Sequence, residues 1–425
     1  MTSVTTAARP LPAAVRDDFP FFAPGAPGAA LSYLDNAATT QKPRRMLEAM
    51  ADYYTNANSN IGRGYYRLAM ASTDRFEQAR ETVRRTIGAA EPEEIVFTAG
   101  TTAATNLLAA TLGERRVGAG DKVLVTGLEH NSNLLPWKEL CDRTGAELTV
   151  AAADEQGRVT PAAFAASLDD RVRLAAVAHV SNVLGTVNPV REFAAAAHAR
   201  GVPLVVDGAQ AVPHGRVDVR ALGADFYCFS GHKVYGPMGV GVLYGRRELL
   251  SQLPPYQVGG GTVKGVRLDE PVRYVPGPAR WEAGTPHVAG AVGLAAALDY
   301  LGDLGWDAVR GHGAALVRAA ADALAGLDRV RIVGDPVSEP SGIVSIVVDG
   351  IHPYDVGAHL DASGVAVRCG VHCASVFLDA LGLLGTVRLS FGVYNTEADV
   401  ERVRAALATV KPATWTAEHP GTRFL

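Results

Sequence analysis

Leu204-Val-Val-Asp207 and, one unit further on, Phe226-Tyr-Cys-Phe-Ser-Gly-His-Lys233 are the stretches that decide how the chain folds. Each is a short apolar run that closes on polar residues. Runs of this length read as buried strands, and the alanine-rich, helix-like stretches between such runs are the pattern of an α/β domain with a mainly parallel sheet. The same pattern recurs upstream: Glu94-Ile-Val-Phe97 leads into Thr98-Ala-Gly-Thr-Thr102, Val123-Leu-Val125 into Glu129-His130, and Leu174-Ala-Ala-Val-Ala-His179 into Ser181-Asn182. Open α/β sheets bind ligands beyond the carboxyl ends of their strands, so these polar ends converge on one crevice.

The 425 residues, 48% hydrophobic and 20% charged, suffice for a large core and two domains. Residues 1–30 read as an N-terminal arm, 31–295 as the large domain and 296–425 as a smaller α+β domain. The smaller domain opens on a long alanine-rich helical segment and continues through the strand Ile343-Val-Ser-Ile-Val-Val348, a helix near residues 353–362 and a closing helix after Thr396. The Pro- and Gly-rich stretch from Pro254 to Pro278 reads as a loop crossing near the site or a partner chain. A net charge of −4 with mixed signs offers no basic face for nucleic acid and no polybasic stretch for a membrane. No apolar run reaches the length of a membrane span and the first thirty residues lack a signal-peptide core, so a cytoplasmic protein is expected. The four cysteines are expected to be reduced. Cys369 and Cys373, without a second pair or suitably spaced histidines, do not predict a metal site.

A lysine at the end of a buried strand has lost hydration that favours its ammonium form, so Lys233 is expected to carry a nucleophilic amine able to form a Schiff base. Asp207 closes a neighbouring strand, where a carboxylate needs a cationic or donor partner. A protonated pyridine nitrogen meets that need: an aspartate one βα unit before a lysine can hold the opposite edge of a pyridoxal phosphate ring. Thr101 and Thr102, after Gly100 at a helix start, offer amides and hydroxyls to its phosphate. Ser230 and His232 flank the lysine and can bond the same group, and His130 can stack on the ring. Taken singly, Asp207 or the threonines could be helix caps and His130 a structural residue.

Together with Tyr33-Leu-Asp-Asn-Ala-Ala-Thr39, His179-Val-Ser-Asn-Val-Leu-Gly-Thr186, Asp207-Gly-Ala-Gln210 and Glu282-Ala-Gly-Thr285, these motifs occur in an order that resembles the class V aminotransferase group of pyridoxal-phosphate enzymes. Within it the likeness is to SufS-type cysteine desulfurases and selenocysteine lyases, over nearly the whole chain after about residue 18. The resemblance implies fold type I, with a mainly parallel seven-stranded sheet in the large domain, and a homodimer. It makes Lys233 the Schiff-base lysine, Asp207 the partner of the ring nitrogen, Gln210 a donor to the ring hydroxyl and His130 the stacking group. Thr101, Thr102, Ser230 and His232 would hold the phosphate, with Thr285 reaching it from the other subunit. Arg388 would clamp the substrate carboxylate beside Asn182, which also borders the cofactor, and Arg368 would join them. A guanidinium fork suits that role.

Arg368-Cys-Gly-Val-His-Cys373 resembles the stretch that carries the sulfur-accepting cysteine of SufS-type enzymes, and the neighbouring histidine and arginine are expected to favour the Cys373 thiolate. The implied reaction converts cysteine to alanine, leaving a persulfide on Cys373 for a sulfur-acceptor protein. Cys369 is a bystander or a resolving thiol. The pattern departs from the family at Gly62-Arg63-Gly64, Ala103, Thr262 and Val371, which alters the polar shell around sulfur and substrate. A carbon–sulfur lyase or selenocysteine lyase acting on a cysteine derivative is the second reading, and a non-catalytic partner the third.

Overall fold

Seven strands form the larger sheet: β1 Ile95–Thr98, β2 Lys122–Thr126, β3 Glu147–Ala151, β4 Val172–Ala178, β5 Leu204–Asp207, β6 Phe226–Ser230 and β7 Gly241–Gly245. In this computed structural model, which describes residues 11–62 and 64–411, they lie in the order β1-β7-β6-β5-β4-β2-β3. Neighbours are parallel except β7, which runs against both β1 and β6. The central strands β5, β6 and β7 are buried at every position. Helices cover both faces of such a sheet, so its strands are apolar throughout instead of alternating. Successive residues still divide between two cores: Tyr227 and Phe229 of β6 point to one, Phe226 and Cys228 to the other.

The helices that bear on the site are α1 Arg67–Ile87, α2 Thr101–Leu108, α3 Val288–Leu304, α4 Trp306–Ala325, α5 Pro353–Ala362 and α6 Glu397–Leu407. The segment expected as one long helix from residue 296 is α3 and α4, bent by 79° at Gly305, whose φ of +87° favours glycine. α3 packs on α1 and runs through the boundary expected at residue 295. Among the described residues no single helix is long and apolar enough to cross a membrane.

A second sheet is antiparallel, in the order β8-β9-β11-β10, from β8 Val330–Val333, β9 Ile343–Val348, β10 Arg368–Gly370 and β11 Thr386–Ser390. α4, α5 and α6 close its core with Leu316, Val356, Leu360 and Val403. A capping box at Thr396 and Asp399 starts α6. Ser32–Tyr33 pairs in parallel with Val365–Ala366, and Asp35 bridges Ser390. The segment expected to open the large domain is therefore stitched to the small one. Residues 11–30 dock through Phe19, whose ring packs against Tyr235, Tyr300 and Tyr394. Residues 1–10 of the expected arm and 412–425 of the expected small domain lie outside the described residues. Within Pro254–Pro278, Val263–Gly265 and Arg273–Tyr274 form a short antiparallel pair.

Candidate active site

β2, β4, β5 and β6 end on one edge of the large sheet, and β10 and β11 face that edge from the smaller unit. Between them lies a cavity of about 210 Å³ lined by Thr101, Thr102, His130, Asn182, Asp207, Gln210, Ser230, His232, Lys233, Arg368 and Arg388. Eleven of the thirteen residues singled out from the sequence thus meet in one place; Cys373 and Thr285 are the other two. Parallel register does the first part of this work, because Asp207 pairs with Cys228, two residues before the end of β6.

Burial lowers the Lys233 amine to about 8, against the pull of Asp207, with Arg388 and Arg368 adding to the lowering. Burial raises the Asp207 carboxyl, while the Ala209 amide at 2.9 Å and Lys233 act the other way. Gln210 donates Nε2 to the Ala37 carbonyl at 2.7 Å, and its buried Oε1 has no partner among the described residues. Nε2 carries a second hydrogen, so Gln210 brings both a donor and an acceptor to the lining of the cavity. His130 accepts the Ser132 amide on Nδ1 at 3.0 Å. Burial and then the cations Lys233, Arg388 and Arg368 push its imidazole down to about 3, so the ring is neutral with its proton on Nε2. Behind it Glu129, fully buried, accepts from Asn133 Nδ2 and the Ala178 amide.

The turn from β1 into α2 carries the hydroxyl groups. Thr101 directs its amide and hydroxyl to Ser230 Oγ at 2.9 and 3.0 Å, and Thr102 Oγ1 lies 2.7 Å from Ser132 Oγ. Gly100 has φ +148°, and a Cβ on Gly241 would come within 2.5 Å of the Gly100 Cα. The close approach of these two glycines lets the turn sit against β7. Burial, helped by Lys233 and Lys42, lowers the His232 imidazole to about 4. Its carbonyl accepts from Thr39 Oγ1, Thr40 Oγ1 and Lys42 Nζ at 3.1, 3.1 and 2.9 Å. These three residues, unassigned by the sequence reading, fix the peptide that precedes Lys233.

From the smaller unit, Arg388 stands opposite Arg368 across β11 and β10. It donates Nη1 to the Asn182 carbonyl at 2.8 Å and Nη2 to Asp35 at 3.2 Å, and its buried Nε has no partner among the described residues. Asp35 lay within a quoted motif but was given no role. Its partner is 353 residues away, so no local signal marked it.

Cys373 is half-buried on the loop after β10, outside the lining of the cavity but within electrostatic reach of Lys233 and Arg388. The expected help from His372 is absent. Burial drives that imidazole down to about 3, and its Nε2 turns away to Thr386 Oγ1 at 2.9 Å. The neutral ring cannot act as a cation beside the thiol. Cys369 sits on β10 next to Arg368, and successive strand residues point to opposite faces. Its sulfur packs against Gly357, and burial pushes its thiol up to about 12. A resolving role does not suit that position.

Thr285 is exposed and lines a second cavity of about 1040 Å³ with Gly260, Gly261, Arg80 and Glu282. Of the departures from the family pattern, Thr262 is fully buried with its hydroxyl on the Gly259 carbonyl at 2.8 Å. Val371 packs on the large core, Ala103 lies on α2, and the Gly62 amide bonds Thr73 Oγ1. Arg63 lies outside the described residues.

Residues 32–403 match the family described as aminotransferase class-V. The chain belongs to this family. Among class-V relatives, a probable cysteine desulfurase of Halalkalibacterium halodurans is 42% identical over 384 residues, covering 90% of this chain and 94% of the relative. The solved cysteine desulfurase of Thermococcus onnurineus NA1 is 38% identical with a TM-score of 0.89, covering 95% of this chain and 98% of that one. A variant of C-DES with glycine covalently linked to its PLP cofactor is 23% identical, with a TM-score of 0.80 over 93% of this chain and 99% of that one; it shares the class-V fold.

Proposed function

We propose that this chain is a pyridoxal-phosphate-dependent cysteine desulfurase that converts L-cysteine to L-alanine and holds the sulfur as a persulfide on Cys373 for transfer to an acceptor protein. The observation that carries the proposal is that Cys373 lies within electrostatic reach of both Lys233 and Arg388, which line one cavity with the buried Asp207. The cavity fits the cofactor: Asp207 is a buried carboxylate suited to a pyridine N–H, the orphaned Gln210 Oε1 can accept a ring hydroxyl, and Thr101, Thr102, Ser230 and His232 offer a phosphate cup. His130 would flank the ring and Lys233 would bind it covalently.

Bound there, pyridoxal phosphate supplies an electron sink for the carbon next to the substrate nitrogen. Arg388 binds the substrate carboxylate, with Asn182 and Arg368 beside it. The Lys233 amine, lowered to about 8, takes the proton from Cα and holds it close by. The Cys373 thiolate attacks the substrate sulfur; an S–S bond forms, the Cβ–S bond breaks, and its electron pair stays with carbon, which gains a proton to become the methyl group of alanine. The sulfur is left on Cys373.

We further propose a homodimer in which Thr285 reaches the phosphate of the partner subunit. Its exposure, with the exposed apolar Tyr65 and Leu268 on nearby segments, supports that reading. Four free cysteines support the cytoplasm as the compartment. The test is a single turnover with L-cysteine, reading the carbon product and the mass of the Cys373 peptide. Alanine and a one-sulfur gain on Cys373 are expected, both lost in Cys373→Ala; alanine formed at the full rate by that variant overturns the assignment, and pyruvate in place of alanine identifies a carbon–sulfur lyase.

A further inference from the structure

Two consecutive non-glycine residues, His372 at φ +52° and Cys373 at φ +57°, occupy the left-handed region. Backbone of this kind is strained in residues with a Cβ and persists only where the surroundings over-determine it. Here the restraints come from three elements. Asn182, after β4, donates Nδ2 to the His372 carbonyl at 2.7 Å. The Asn131 amide, after β2, donates to the Cys373 carbonyl at 2.8 Å. Thr386, at the start of β11, holds the His372 ring through its hydroxyl at 2.9 Å and its carbonyl at 3.2 Å, and that hydroxyl donates in turn to Ser345 Oγ at 3.3 Å. The Asn182 Oδ1 is buried without a partner among the described residues, so the amide is oriented by what its nitrogen gives to His372.

We propose that Asn182 and Thr386 are a positioning pair for the sulfur-accepting thiol: one gripping the His372 carbonyl and the other its ring, they hold the left-handed His372-Cys373 turn and so set where the Cys373 sulfur stands relative to Lys233 and Arg388. This rests on the desulfurase reading and adds to it a role for Asn182 besides contact with substrate. Loss of either grip lets the turn relax to ordinary backbone and swings the thiol away. A displacement of about 1 Å from the line of attack is enough to slow transfer by roughly two orders of magnitude.

The test uses the holoenzyme as wild type, Thr386→Val, Thr386→Ser and Asn182→Ala. It reads deuterium uptake at residues 371–375, iodoacetamide alkylation of Cys373, L-alanine affinity from the visible cofactor spectrum, and single-turnover persulfide formation. Thr386→Val is expected to raise uptake, change the alkylation rate and slow persulfide formation about tenfold to a hundredfold, with L-alanine affinity within about twofold of wild type. Thr386→Ser, which keeps the hydroxyl, is expected to restore all three. Asn182→Ala is expected to raise uptake in the same segment and serves as the test should Thr386→Val not fold. Wild-type uptake and persulfide rates in both Thr386→Val and Asn182→Ala overturn the proposal, as does a Thr386→Ser enzyme as impaired as the valine variant. Persulfide found on another cysteine overturns the functional reading instead, and the uptake comparison still decides whether the turn is held.

Discussion

Arg388 is shared between Asp35, 3.2 Å from its Nη2, and the Asn182 carbonyl, 2.8 Å from its Nη1. The guanidinium proposed to clamp a substrate carboxylate thus already faces an anion of its own chain. Asp35→Asn removes that competitor and leaves the Arg388 charge without a carboxylate of its own chain. KM for cysteine is expected to fall about fivefold, on the order of 1 kcal/mol, with little change in kcat, in steady-state kinetics. A rise in KM would show that Asp35 serves to aim the guanidinium.

Arg388→Lys keeps the charge but loses the planar fork. KM for cysteine is expected to rise roughly tenfold to a hundredfold, whereas affinity for an amine lacking the carboxylate stays near wild type. Comparing the two ligands by spectral titration separates lost recognition from a general defect.

The buried Lys233 amine has a pKa lowered to about 8, so it is an inert ammonium below that pH and a nucleophile above it. Uptake of pyridoxal phosphate by the apoprotein is expected to accelerate as pH rises through about 8, reported by the growth of visible absorbance. Lys233→Ala is expected to abolish that band. A midpoint near the ordinary lysine value would mean that the amine is hydrated.

Arg80 and Glu282 form a buried ion pair at 2.7 Å, each side chain no more than 5% exposed, and Glu282 Oε1 also accepts the Phe97 amide. The pair ties α1 and β1 to the turn that carries Thr285. Glu282→Ala removes the buried carboxylate and leaves the guanidinium with the exposed Glu77, at 2.9 Å, and the Ile95 carbonyl, at 2.8 Å; it is expected to cost about 1–3 kcal/mol in urea unfolding. A loss below about 1 kcal/mol would mean that water replaces the carboxylate.

The strand ends and the chemistry they bear were legible in the sequence. Asp207 and Lys233 each close a buried apolar run, so local pattern alone places both at the carboxyl edge of a parallel sheet, and register brings the ends of β5 and β6 together. A charged residue in such a place has few explanations, because burying it is costly. The sequence by itself determined the mainly parallel sheet, the crevice and the residue types on its floor.

The roof of the crevice was decided only by tertiary structure. Arg388 meets Asp35 and Asn182 across 353 and 206 residues, and Asn182 reaches His372 across 190; packing of the two sheets sets these meetings, and no periodicity encodes it. The motif singled out Cys373 and left Cys369 a bystander or a resolving thiol; β10 turns Cys369 into an apolar core, while the left-handed turn beyond it brings Cys373 within reach of Lys233. His372, read as a cation beside the thiol, became a neutral anchor because burial removes its charge and Thr386 takes its ring nitrogen. Residue type and spacing fix which groups are available; burial and orientation, properties of the folded chain, fix the charge each carries and what it faces.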